Sequence, residues 1–284
     1  MKNIYLIISV LFTLTAAPAC SGGDGGDQEN PNGGKPPYST SVFAGQNLVT
    51  FGNSITAAEN SWAYQTRTRL AFATLYNGAV AGACWYKRER TKDGQTIRTQ
   101  DYTDPDFAGM SNESNTSIEA FQRIINNCAI VHVQKYLAEH GNRLPDVIVL
   151  SYGTNDAYSD ATIGSAQAAL QADNPDKLDL YTMAGALKWC LVTLQTEFPR
   201  AKIYVALPLQ ARDDAKNSGN LKKMAVIKEI CEGLSVPYFD CYNECGITQA
   251  NQAQYLRDGL HPNEAGKTVH ANYIVKKLQE ANPQ

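Results

Sequence analysis

Ser54 closes the run "NLVTFGNS" (47–54), and His261 stands three residues after Asp258 in "RDGLHPNEAG" (257–266). A serine hydroxyl is a poor nucleophile until a neighbouring base takes its proton, and an imidazole, titrating near ~6.5, suits that task. A carboxylate beside the imidazole would hold its productive tautomer and stabilise the imidazolium as it forms. Asp258 and His261 share a Gly-containing turn, so one bend can orient both toward Ser54. The chain has four histidines. His132 and His140 fall in a helical pattern away from any strand end and His270 within the last helix, which leaves His261 placed for this chemistry. Singly, a Ser after a turn and an Asp-x-x-His also occur as caps and turns. Ser54 is therefore either a nucleophile at a strand-to-helix turn or an N-cap.

The elements that must position these residues follow from periodicity. Short β-rich runs alternate with longer helical patterns from residue 43 onward, the signature of βαβ units and a parallel sheet. Strands are expected at 47–51, 73–77, 146–152, 201–207 and 236–240, and helices at about 61–72, 117–140, 179–197, 219–234 and 263–280. Ile118, Phe121, Ile124, Ile125 and Cys128 fall at spacings of three and four, one buried stripe on the 117–140 helix. Five parallel strands with right-handed crossovers make a three-layer α/β/α sandwich, with ligands at the carboxyl ends of its strands. Residues 84–115 do not fit the alternation and read as a long polar loop. Its Trp85, Tyr86, Tyr102 and Phe107 could wall a pocket, with Trp85 and Tyr86 as substrate contacts, or could pack the loop onto its own domain.

Four stretches fall in order at strand ends or helix starts: "FGNSIT", "NGAVAGA", "SYGTNDAY" and "RDGLHPNEAG". Together they resemble the SGNH (GDSL-like) hydrolases, serine esterases and acylhydrolases, over about 43–281. The resemblance implies a flavodoxin-like sheet, catalytic Ser54, Asp258 and His261, and an oxyanion hole from Ser54, Gly82 and Asn155. Backbone N–H groups at 54 and 82 and the Asn155 amide would then face the developing oxyanion. Asp156 is expected to brace its loop and not to react. The first block reads Gly52-Asn53-Ser54 where the family has Gly-Asp-Ser. Asn keeps an acceptor oxygen but loses the charge, so Asn53 is expected to tune the turn without abolishing catalysis.

The N-terminus carries Lys2, an apolar run from Ile4 to Leu14 too short to span a bilayer, and small residues before Cys20. Residues 1–19 read as a secretory signal, and "TAAPACSGGDGGD" resembles a bacterial lipoprotein site with Cys20 lipidated. Residues 20–41 are rich in Gly, Pro and acidic side chains, a flexible tether, which leaves 42–284 as the folded domain. The expected setting is the bacterial cell envelope, periplasmic or at the outer surface, with the membrane reached through the lipid. The remaining six cysteines allow 15 pairings, or isolated thiols. None has zinc-ligand spacing, so no metal is expected, and the chemistry calls for no cofactor.

A net charge of −3 supplies no field for a phosphate backbone and argues against nucleic acid. Lys87, Arg88, Arg90 and Lys92 alternate with Glu89 and Asp93, as on a solvated face. Family and setting together favour O-acetyl or other small acyl groups on carbohydrates as substrate. Longer acyl esters, thioesters or lysophospholipids are the alternative, and a catalytically weak glycan-binding envelope protein is a third reading.

Overall fold

The computed structural model describes residues 41–113, 116–141 and 144–283. The expected signal, lipidated Cys20 and tether lie outside the described residues. In chain order the elements are β1 (Asn47–Gly52), α1 (Ser54–Ala57), α2 (Trp62–Arg69), β2 (Thr74–Asn77), β3 (Glu89–Lys92), β4 (Gln95–Arg98), α3 (Ile118–Asn126) and α4 (Ala129–His140). They continue with β5 (Val147–Ser151), α5 (Asp160–Ile163), α6 (Ala166–Gln171), a 3₁₀ turn at Pro175–Lys177, α7 (Met183–Glu197), β6 (Lys202–Ala206) and α8 (Asp214–Gly233). The last are β7 (Tyr238–Phe239), α9 (Cys241–Glu244), α10 (Gln252–Tyr255) and α11 (Glu264–Glu280).

Five strands form one parallel sheet in the order β2-β1-β5-β6-β7. Numbered within the sheet this is 2-1-3-4-5, the flavodoxin-like order, and its direction of winding reverses between β1 and β5. Central β5, "VIVLS", is buried along its whole length, as a strand covered on both faces must be. Side chains alternate across the sheet. Val49, Phe51, Ile148 and Leu150 pack against α4, α7 and α8, while Leu48, Val147, Val149 and Tyr204 pack against α2 and α11. These are the three expected layers, and all five expected strands are present, the last shortened to two residues.

Two expectations for the fold are corrected. The helix read across 117–140 is two helices, α3 and α4, separated at Asn127 and Cys128. Cys128 is extended (φ −146°, ψ 163°) and pairs in parallel with Cys84, whose carbonyl accepts from Ala129 N at 2.8 Å. Backbone pairing has won over helical propensity there. Arg88 then donates to the carbonyls of Ile124, Ile125 and Asn127 at the end of α3, so it serves as a C-terminal cap and not as part of a solvated face. The 84–115 segment, expected to be irregular, contains the hairpin β3–β4, closed by Asp93 and Gly94, both at positive φ. The cysteines at 84, 128, 190, 231, 241 and 245 are all buried free thiols.

Candidate active site

The reversal point between β1 and β5 collects the residues that the sequence set apart. Ser54 follows β1 as the first residue of α1. The cap of that helix is Asn53, whose Oδ1 accepts from Ile55 N at 3.0 Å. The capping role considered for Ser54 thus belongs to its neighbour, and Ser54 Oγ lies 2.9 Å from Nε2 of His261. Asn53 is buried, so its acceptor oxygen braces the turn without a charge.

His261 belongs to a small closed turn. Arg257 N donates to the His261 carbonyl, and Leu256 and Pro262 pair as an antiparallel bridge. Pro262 lies just ahead of the following helix: Asn263 is the cap of α11, accepting from Gly266 N at 3.0 Å. Within the turn, Asp258 Oδ2 meets His261 Nδ1 at 2.7 Å, and Oδ1 accepts from the backbone N–H groups of Leu260 and His261 at 3.0 and 2.8 Å. What burial Asp258 has pushes its carboxyl pKa up. The hydrogen bonds from His261 and Leu260 outweigh that and hold it well below the usual carboxylate range. An ionised Asp258 accepting from Nδ1–H leaves Nε2 as the acceptor facing Ser54.

Two loops complete the site. The backbone N–H groups of Ser54 and Gly82 donate no hydrogen bond within the described residues. Gly82 sits at φ +79°, a conformation that favours glycine, and a Cβ there would displace the exposed Asn112 side chain that packs against it. Asn155, exposed at the end of β5, gives one amide hydrogen to Ala83 O at 3.0 Å and has a second to offer. Asp156 is buried and accepts from Trp85 N and Gly153 N at 2.8 and 3.1 Å, tying the two loops together as expected of a bracing carboxylate. Burial raises its pKa against the pull of those donors and of Lys223. Among the described residues no group of three or more His, Cys, Asp or Glu is placed to hold a metal ion.

The structure does not bring Trp85 and Tyr86 to a substrate. Trp85 is fully buried, its ring 4.7 Å from that of Tyr152, and Tyr86 is 4% exposed with its hydroxyl accepting from Ala157 N. Tyr102 and Phe107 lie 5.2 Å apart against the core. These aromatics pack the segment onto its own domain.

Other residues of the site are not visible as motifs. Asn127 donates to Ala81 O at 2.7 Å and accepts from His132 Nε2 at 3.0 Å, while His132 Nδ1 meets the Tyr152 hydroxyl at 2.7 Å. Because Asn127 Oδ1 can only accept, His132 carries its proton on Nε2 and Tyr152 donates to Nδ1. This buried chain fixes the carbonyl next to Gly82. Burial pushes the His132 pKa down to about 3, with Lys135 and Arg88 acting in the same direction, and so keeps the ring neutral. Lys223, buried in α8, donates to the carbonyls of Gly153 and Asp156 behind Asn155. In the sequence His132 is a lone polar residue in an apolar helical run and Lys223 one of an adjacent lysine pair in another helix.

Comparisons with known proteins show the family and the fold. The model of the GDSL-like Lipase/Acylhydrolase family matches residues 50–269, an interval that contains Ser54, Gly82, Asn155, Asp258 and His261. The chain belongs to that family. As a GDSL-like hydrolase it is a serine ester hydrolase, with the α/β fold of its structural neighbours. A protein from Lactobacillus plantarum is 19% identical with a TM-score of 0.56, over 85% of this chain and 99% of that one. A candidate GDSL-like lipase from Bacteroides ovatus is 12% identical with a TM-score of 0.50, over 83% and 98%. A candidate lipase from Chitinophaga pinensis is 15% identical with a TM-score of 0.50, over 84% and 100%. No curated protein sequence matches the chain.

Proposed function

We propose that this hydrolase removes O-acetyl or other small acyl groups from carbohydrates through an acyl-enzyme on Ser54. The observation that carries the mechanism is the continuous chain from Ser54 Oγ to His261 to Asp258, at 2.9 and 2.7 Å, beside two unpaired backbone N–H groups. Ser54 Oγ attacks the ester carbonyl as its proton passes to His261 Nε2. The oxyanion is met by the N–H groups of Ser54 and Gly82 and the free amide hydrogen of Asn155. The tetrahedral species collapses, and the alcohol leaves with the proton from His261. Water, deprotonated by the same imidazole, then attacks the acyl-serine and releases the carboxylic acid.

The substrate class is supported by exposure. The side chains of His261 and Asp258 are 27% and 48% exposed, so this edge of the site opens on solvent and can receive a bulky polar alcohol. In this reading, residues 42–284 act as an exported domain, held to the bacterial envelope by lipid on Cys20 through the intervening tether. Purified protein and its Ser54→Ala variant, assayed on p-nitrophenyl acetate and on acetylated sugars against longer acyl esters, test the proposal. Acetate release that falls by about 10⁴-fold or more in the variant is expected. Preference for long chains would reject the substrate class, and equal rates in the two proteins would reject the mechanism.

A further inference from the structure

An open groove of about 260 Å³ runs beside the Asp258–His261 turn, lined by Arg212, Asp213, Lys216, Asp258, Gly259 and Leu260. It joins both sides of the site. Arg212 N donates to Gly259 O at 2.7 Å, and Lys216 Nζ donates to the carbonyl of Thr154, the residue before Asn155. The Arg212 side chain lies across the turn: a Cβ on Gly259 would meet Arg212 Cβ, Nε and Cζ at 2.8, 2.9 and 3.0 Å. Gly259 also holds φ +83°, so the turn has the one residue type that admits this guanidinium.

The donors and acceptors of the groove are unequally committed. Asp258 is used by His261 and Leu260, and Asp213 caps α8 by accepting from Lys216 N at 2.7 Å. Asp214 accepts from Gln249, and Arg257 lies 3.7 Å from Asp258. Arg212, exposed, makes no hydrogen bond or ion pair with its guanidinium among the described residues. Lys216 has three ammonium hydrogens and one acceptor among the described residues. Asp213 and Asp258 also line the groove, each accepting from backbone N–H groups of its own turn, and the planar fork of Arg212 is open, which lets it receive a planar anion with two parallel hydrogen bonds.

We infer that this groove is a subsite for the carboxylate of an acidic sugar, so that the ester substrate is an O-acylated uronic acid or a similar carboxylate-bearing glycan unit held by Arg212 and Lys216. This rests on the esterase reading above and narrows it. The guanidinium would bind the carboxylate in ground state and transition state alike, so the effect is expected mainly in KM.

The test compares kcat/KM for an O-acetylated glucuronic acid glycoside with that for its carboxylate methyl ester. Wild-type protein is expected to prefer the free acid by roughly tenfold or more, as a charge-assisted pair supplies. In Arg212→Gln the ratio is expected to fall close to one, with Arg212→Lys recovering part of it. A wild-type ratio near one, a ratio unchanged in Arg212→Gln, or better turnover of a sulfated than a carboxylated analogue would overturn the subsite. Activity on p-nitrophenyl acetate with a ratio near one would remove the subsite and keep the esterase; a protein inert toward p-nitrophenyl acetate and every sugar ester would remove the esterase itself.

Discussion

The two halves of the site are held in different ways. Ser54 and Gly82 stand on a buried foundation: Asn53, Thr56, Asn127, His132 and Asp156 are each at most 2% exposed, with Asn53, Asn127 and Asp156 hydrogen-bonded to the loops, His132 to Asn127, and Thr56 Oγ1 accepting from Trp62 Nε1. The Asp258–His261 turn lies at the surface and is held by its own short hydrogen bonds and by the Arg212 backbone. Buried polar groups must be satisfied, so the first half couples catalytic geometry to folding stability. The exposed half is coupled more weakly, and substitutions there should lose activity with little loss of stability.

The largest expected effect comes from Asp258→Asn, which leaves the fold in place but removes the charge that orients the imidazole. A fall in kcat of about 10⁴-fold is expected with only a small fall in the unfolding midpoint, because the hydrogen bonds that depress the Asp258 pKa also favour the folded turn but lie at the surface. A comparable loss of stability would break the contrast between the halves. Next is Asn155→Ala, at the mouth of the site: a loss of about 10²–10³-fold in kcat with little change in KM is expected from one oxyanion donor. A change confined to KM would place Asn155 in substrate binding instead.

The buried histidines should declare themselves through pH. Burial holds both His132 and His270 down to about 3. In the unfolded chain they would titrate near ~6.5. Between those values the unfolded state binds protons that the native state refuses. Stability is therefore fully present above about pH 6.5 and declines as pH falls, by at most about 1.4 kcal/mol per pH unit for each ring. Thermal unfolding at pH 7 and pH 5 measures this, and a His270→Gln variant should show a smaller drop than wild type. No drop would mean that the rings accept protons in the native state. The smallest effect is expected at Asn53: because Oδ1 already caps α1, Asn53→Asp should change activity only a few-fold. Activity rising from undetectable to substantial would show that the family's carboxylate is required.

The same contrast explains what could be read from the sequence. The strands of the sheet were legible because "VIVLS" and its neighbours are continuous buried β-rich runs, and the motif residues because each follows such a run. The break between α3 and α4 was not, since apolar spacing continues through Asn127 and Cys128 and only the distant Cys84 backbone ends the helix. Trp85 and Tyr86 looked available in a polar segment, yet they are buried and anchor its start to the core. The β3–β4 hairpin carried a legible signal in Asp93-Gly94, obscured by strands polar on both faces. Lys216, Lys223 and Arg212 act through contacts with carbonyls or backbone far away in sequence, which no local pattern encodes.

The central claim is that Ser54 is the nucleophile, activated by His261. Labelling the native protein with a fluorophosphonate and locating the adduct by peptide mass spectrometry tests it most directly. One adduct on Ser54, absent from protein unfolded before labelling and strongly slowed in His261→Ala, is the result expected. An adduct on another residue, or no adduct on a folded protein that still hydrolyses esters, would contradict it.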